Sequence, residues 1–502
     1  MTPRPWQPPL EPTRYQDFIA FVRRFDRDAV LLGLAAESSG WDGSTHDAQG
    51  RVRPFLPWNV AGAAASVITR GTVGGARPTP EDLARLCYLY SNLQHPGTPG
   101  DLDFALQLVG RFLYQQWPYQ RLSLKEWARP VALYADTLFP ASYSPEVMSD
   151  SWDEQLLGCT VREFVSVGFC LYAAANTGGR YPLIWDAGLL DVLDLHGGAT
   201  RFDDIVQTNF LTDIETFKST RRDHLARLGL TPGQEYIREP FAYNPLISRP
   251  FVGGIVPGEW LAPSVSTIEL RTSTIGILYS GIEKWGEAFT HDAGHLFEQY
   301  VGRQLRLIPN ATVLPEVPYR TSQGDKLSVD WIVVLADAIL LIECKSSIPA
   351  TGVREGLDNF VEAHGRLAKG VKQINTTASA IVDRRPEFAT VPEDRPVVGL
   401  VVTLGNFDMA NDLEIRAGLP SASVPTAIVG IDFVEDLVTL NSSDLEALLA
   451  TAPQHVAENS VLEPRSWFTN VTVNENSILQ AAFDSVPIIA HVSTSNTEST
   501  SE

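Results

Sequence analysis

The sequence predicts a multidomain chain in which a mostly α-helical N-terminal region is followed by an α/β domain. Three observations lead there. At 502 residues the chain exceeds one ordinary hydrophobic core. Residues ~13–230 repeat apolar side chains at three- and four-residue spacing between Pro/Gly breaks. Beyond ~310, short apolar runs alternate with longer helical patterns.

The N-terminal helices are expected over Tyr15–Ala36, Pro57–Thr69, Thr79–Leu93, Asp101–Trp117 and Ser123–Thr137. Phe18, Phe21, Val22 and Phe25 form the apolar stripe of the first. The tryptophans here, Trp127 and Trp152 among them, sit among apolar neighbours and read as core. The stretch 231–266, rich in Pro and Gly, reads as a connector. An α/β domain is expected over 267–450. It has one or two helices to Leu307, then strands near 311–320, 327–335 and 338–345. A helix over 354–381 follows, then strands near 396–404 and 425–432 and a helix near 433–450. Residues 451–502 read as an acidic polar tail, and its last residues, STSNTESTSE, as disordered.

The N-terminus carries no basic-then-apolar signal, and the apolar run Trp331–Ile342 is too short to span a bilayer. A cytoplasmic protein without membrane partners is therefore expected. Cys87, Cys159, Cys170 and Cys344 are scattered, which suits buried thiols better than disulfides or structural zinc. The net charge of −21 argues against an extended nucleic-acid-coating surface. The charge is uneven: residues 281–400 carry 13 Lys+Arg against 16 Asp+Glu, whereas 401–502 carry 2 against 14. An acidic C-terminal part could occupy a nucleic-acid groove as a mimic of its charge, although solubility is the plainer explanation.

The chemistry concentrates in Ser328–Lys345. Two apolar strands flank a turn at about Ala336-Asp337. If they fold symmetrically there, paired residue numbers sum to about 673, so Asp330 lies opposite Glu343. Lys345 then shares a face with Glu343. Two carboxylates facing each other repel unless a cation lies between them, and hard oxygen ligands suit Mg²⁺ or Mn²⁺. Such a metal activates water and offsets charge on a phosphorane, and a nearby lysine can orient that water. Glu298, on a helix between Phe297 and Val301, could face the same place. A later helix presents Arg366, Lys369 and Gln373 at helical spacing, a stripe able to meet DNA phosphates and to bring Gln373 near the metal.

In these residues the sequence resembles the PD-(D/E)XK nuclease superfamily, especially its NERD-like and RecB-like branches. The matching order is a helix with Gly-x-x-Phe-Glu298, then Asp330, then Glu343-Cys344-Lys345, then a helix with Lys372-Gln373-Ile374. Val329 stands where the name-giving proline would be. The resemblance covers about a third of the chain and implies a restriction-endonuclease-like αβββαβ core with a mixed sheet. It also implies a metal held by Asp330, Glu343 and the Cys344 backbone carbonyl, with Glu298 able to join them. Lys345 would assist the attacking water, and Arg366, Lys369 and Lys372 would contact nucleic acid.

The expectation is thus a Mg²⁺- or Mn²⁺-dependent nuclease acting on DNA, with RNA as the other substrate, and compatible with a homodimer. The helical region would target it or bind a protein partner, and by analogy of architecture the protein would serve bacterial defence. Two alternatives stand beside it. One is a catalytically silent nucleic-acid-binding protein of the same fold. The other is a zinc metalloprotease built on His291-Asp292-Ala-Gly-His295, a weaker match because Asp292 shortens the would-be base and Gly294 loosens the helix.

Overall fold

A computed structural model describes residues 11–492 apart from 48–49, 51, 97–101, 121–122, 176–177, 183–192, 322–323, 350, 357–360, 413–415, 458–466 and 469–470. The expected disordered end lies outside the described residues. The chain divides into two units. The first comprises Met1–Pro130, Ser151–Ser280 and Asp484–Glu502, and the second Val131–Asp150 and Gly281–Phe483.

The first unit is mostly helical. Two helices, α1 (Tyr15–Val22) and α2 (Arg27–Ser39), replace the single helix expected over Tyr15–Ala36. Asp26 makes the break: its carboxylate accepts the Ala29 N–H to cap α2 and the Gly74 N–H from a later loop. Helices α3 (Pro57–Arg70) and α4 (Pro80–Ser91) begin on proline, and Thr79 with Asp82 forms a reciprocal capping box. Helix α5 (Leu102–Arg111) follows. Phe18, Leu31, Leu34, Val60 and Val67 are fully buried in one core, and Trp127 and Trp152 are buried as well.

The stretch expected to be a connector is folded into this unit instead. Strands β1 (Arg180–Tyr181), β2 (Leu211–Asp213), β3 (Phe251–Val256) and β4 (Glu259–Leu261) form a sheet in the order β1-β4-β3-β2. Val252 and Leu261 are fully buried there. Its glycines serve the turn between β3 and β4, where Gly258 has φ +75°. The Pro/Gly signal was a turn inside a packed hairpin.

The second unit is α/β. Its main sheet runs β11-β10-β9-β8-β5, and a separate hairpin pairs β6 with β7. The strands are β5 (Thr312–Pro315), β6 (Pro318–Thr321), β7 (Gly324–Leu327), β8 (Trp331–Val334), β9 (Ile339–Lys345), β10 (Val397–Thr403) and β11 (Thr426–Gly430). The pairs β5–β8 and β8–β9 are antiparallel, whereas β9–β10 and β10–β11 are parallel, so the sheet is mixed. The strand expected over 311–320 is interrupted at Pro315 and Pro318, which remove ladder donors. All positions of β9 but the last are buried, as its unbroken apolar run requires of a strand covered on both faces.

The covering helices are α6 (Glu287–Leu305) and α7 (Val361–Val382). On α6, a Cβ at Gly302 would lie 2.2 Å from the Trp331 ring, whose Nε1 donates to the Glu298 carbonyl at 2.9 Å. On α7, a Cβ at Gly370 would meet Val401 and the Glu343 side chain. Trp331 pairs with Ile342, the neighbour of Glu343, so alternation places the two helices on opposite faces of the sheet. Two small residues therefore set how closely each helix approaches the sheet. Helices α8 (Ile431–Leu437), α9 (Ser442–Ala457) and α10 (Ser477–Asp484) follow β11. The expected polar tail is thus helical at 451–457 and 477–484.

Residues 131–150 join this unit because α6 holds them. The Asp292 carboxylate, fully buried, accepts the Tyr143 hydroxyl at 2.6 Å and the N–H groups of Glu146, Val147 and Met148 at 2.7–2.9 Å. Arg303 donates to the Ala132 carbonyl and the Thr137 hydroxyl. All four cysteines are free and buried. Among the described residues no helix is long and apolar enough to cross a membrane.

Gly302→Ala tests the α6–sheet contact. Alanine favours a helix by about 1 kcal/mol over glycine, but overpacking against Trp331 costs about 1–3 kcal/mol. The variant is expected to unfold at lower urea than wild type; a higher midpoint would contradict the packing.

Candidate active site

The hairpin places its charged groups through register. Trp331 faces Ile342, Ile332 faces Leu341, Val333 faces Leu340 and Val334 faces Ile339, and the Leu335 N–H closes the turn on the Ala338 carbonyl. One step further, the same register brings Asp330 to Glu343. Asp330 Oδ2 accepts the Cys344 N–H at 2.6 Å, which fixes its carboxylate on the edge of β9. Glu343 is 1% exposed. Its Oε1 pairs with the Lys345 ammonium, two residues along on the same face, while its buried Oε2 has no hydrogen-bond partner.

The electrostatics follow from this crowding. Burial, then the Asp330 charge, pushes Glu343 up to about 8. Burial, then Asp330 and a further carboxylate, Glu316, pushes Glu298 up to about 8. Glu316 is raised by burial and by Asp330. Asp330 is itself raised by burial, although the Cys344 N–H and Lys345 pull the other way. Burial lowers Lys345, but Glu343 and Asp330 outweigh it and the net shift is upward. Lys345 is therefore held protonated in this arrangement, suited to countering negative charge rather than to removing a proton.

Glu316 escaped the sequence reading because an uninterrupted strand was expected there. The signal was Pro315-Glu-Val-Pro318: two prolines three apart break a strand and release the residues between them from its alternation. Gln373 is placed differently from expectation. Its amide donates to the Ser328 carbonyl at 2.7 Å, and Thr377 on the same helix accepts the Val329 N–H. It braces the backbone entering Asp330, a positioning role. Arg366, Lys369 and Lys372 are exposed on α7.

The His291–Asp292–His295 trio is not arranged as a zinc site with a free base. The Asp292 carboxylate is occupied by its four donors. His291 pairs with Glu146 at 3.2 Å, and His295, packed at a tilt against Tyr143, meets Glu298 at 3.3 Å.

The carboxylate cluster does fit a hard divalent cation. The partnerless buried Oε2 of Glu343 and four carboxyl groups raised by burial, three of them also by Asp330, all call for positive charge. Among the described residues no three His, Cys, Asp or Glu side chains form a ready-made cage. The donor set is two facing carboxylates plus backbone and water, the mode in which Mg²⁺ keeps its hydration. No protein-family model matches this chain, and no curated protein is similar to it at a significant level.

The raised carboxyls give a pH prediction for chelator-treated protein. Glu343 binds its proton up to about 8 in the fold but ordinarily only to 4.5. The folded state therefore holds more protons than the unfolded state over that window, and stability falls as pH rises through it. Glu343→Gln should melt progressively higher than wild type between pH 5 and 9, on the order of the window just described. A constant difference across that range would contradict the buried, repelled carboxylate.

Proposed function

We propose that the second unit is a metal-dependent nuclease of the PD-(D/E)XK type, hydrolysing phosphodiester bonds in DNA. The observation that carries this reading is the meeting of Asp330, Glu343 and Lys345 at the end of a buried hairpin, in a mixed sheet covered by a helix on each face. The arrangement of elements is compatible with the restriction-endonuclease-like core that the sequence resembles. Asp330 and Glu343, with the Cys344 backbone carbonyl, would hold Mg²⁺ or Mn²⁺. Such an ion supplies an activated water and neutralises charge on the reacting phosphate.

The chain's own groups do the rest. Lys345, whose ammonium lies at Glu343, would orient the attacking water and stabilise the negative charge that develops beside it. Glu298, half-neutral near pH 8, accepts a hydrogen bond from water on the α6 side of the site. Gln373 and Thr377 hold Ser328-Val329 so that Asp330 meets the edge of β9. Arg366, Lys369 and Lys372 offer phosphates a row of cations along α7. The first unit would target or restrain the nuclease, and a cytoplasmic homodimer serving bacterial defence fits this architecture by analogy.

Two observations favour a second reading, a silent nucleic-acid-binding protein: Lys345 is locked to Glu343, and among the described residues no three-ligand cage is preformed. Cleavage separates the two. Purified wild type and Lys345→Ala are incubated with supercoiled plasmid and with single-stranded DNA, in Mg²⁺, Mn²⁺ or EDTA. The nuclease reading expects metal-dependent cutting that falls about 10²-fold or more in the variant. Binding of DNA without cutting by wild type would favour the silent reading. Equal cutting by both proteins would remove Lys345 from the active site.

A further inference from the structure

The nuclease chemistry uses none of the basic groups buried in the first unit, and two of these groups lack partners. Arg111, the last residue of α5, is 6% exposed, and its guanidinium lies 4.1 Å from the centroid of the Phe241 ring. Neither its Nε nor its Nη1 makes a hydrogen bond. His95, equally buried, packs edge-on against Phe104 and at a tilt on Phe241. Both of its ring nitrogens are also without a hydrogen bond. Phe241 thus gathers two buried, unsatisfied donor groups from separate segments of the chain.

Among the described residues no carboxylate is left to answer them. Glu239 is spent on Arg70, which binds both its oxygens, and on the Tyr15 hydroxyl. Arg221, 1% exposed, donates to the Thr69 hydroxyl and the Glu239 carbonyl, and its Nε is unpartnered. Burial pulls Arg111 down to about 10, opposed only by the Tyr90 phenol. Burial, then Arg111 and Arg238, draws His95 down to about 4. The local field is positive, and arginine cannot escape it by losing its proton. An unpaired guanidinium out of water costs several kcal/mol, and buried polar atoms left without partners point to a missing water or ion.

An oxyanion answers each of these features. The guanidinium fork matches its geometry, the imidazole adds a second donor, and the aromatic wall keeps water from competing. The surplus of several cations over acids suits a dianionic phosphate better than a single carboxylate. We propose that Arg111 and His95 form a binding site for the phosphate group of a small phosphorylated molecule, seated against Phe241. The site lies wholly within the first unit and stands whether or not the second unit hydrolyses phosphodiesters. It gives the N-terminal region a ligand of defined chemistry.

The test uses the full chain in phosphate-free buffer, titrated with inorganic phosphate and separately with adenosine monophosphate. Binding is read by calorimetry and by thermal denaturation, with sodium chloride at matched ionic strength as the control. At least one probe should bind wild type with one-to-one stoichiometry; at 100 times its Kd the folded-to-unfolded ratio rises about 100-fold. Tighter binding of the nucleotide would identify a phosphorylated small molecule, and equal or tighter binding of phosphate would identify the free ion. Arg111→Met should weaken binding about tenfold or more. Without ligand it should melt no lower than wild type, because the charge it removes has no partner. His95→Gln should also weaken binding, and serves if Arg111→Met fails to fold. Failure of both probes to bind wild type, or undiminished binding to both variants, would overturn the site.

Discussion

Asp330 and Glu343 face each other across the end of a hairpin whose other paired positions are apolar and nearly all buried. Burial raises both carboxyls there, Asp330 raises Glu343 further, and the pair remains short of positive charge, since one Lys345 ammonium answers only one oxygen of Glu343. Much of the second unit is organised around keeping this unfavourable meeting in place. The parallel neighbour β10 secures β9 along its whole length, through pairs from Val397–Ile339 to Thr403–Lys345. Gly302 and Gly370 let a helix close on each side. The apolar burial of these strands supplies the stability from which the charged end is held out of its preferred state.

The 131–150 segment extends the same logic. Asp292 replaces a set of backbone partners for residues 146–148 and ties them to α6, about one turn before His295 and nearly two before Glu298. Tyr143 contributes twice, donating to Asp292 and packing at a tilt, centroids 4.0 Å apart, against the His295 ring. The helix that carries Glu298 is thereby fixed by the sheet on one side, through Trp331, and by this segment on the other. Within the His291-to-His295 motif, Asp292 acts as a buried polar clamp on residues 146–148.

What was legible in the sequence was what local periodicity controls. The symmetric hairpin register followed from apolar alternation and the Ala336-Asp337 turn, and it alone sufficed to bring Asp330, Glu343 and Lys345 together. Parts that depended on a single long-range contact were not legible. Asp26 breaks the first helix partly because Gly74, far away in sequence, supplies a second donor. Residues 131–150 belong with the second unit because of Asp292 and Arg303, which spacing cannot reveal. Residues 231–266 looked like a connector because Pro and Gly serve turns inside a packed hairpin as well as linkers. Glu316 was hidden by an unbroken-strand reading, and the bond by which Gln373 braces Ser328, two residues before Asp330, has no signal in spacing. Arg111 and His95 carry no sequence signal at all; only their burial without partners singles them out.

The proposed nuclease requires the end of this hairpin to bind a divalent cation. Manganese binding to chelator-stripped full-length protein, followed by electron paramagnetic resonance, tests it most directly. Wild type is predicted to take up Mn²⁺ at a saturable site that Mg²⁺ displaces, and Asp330→Asn to weaken that site about tenfold or more. Absence of saturable binding in wild type, or equal affinity in the variant, would contradict the account.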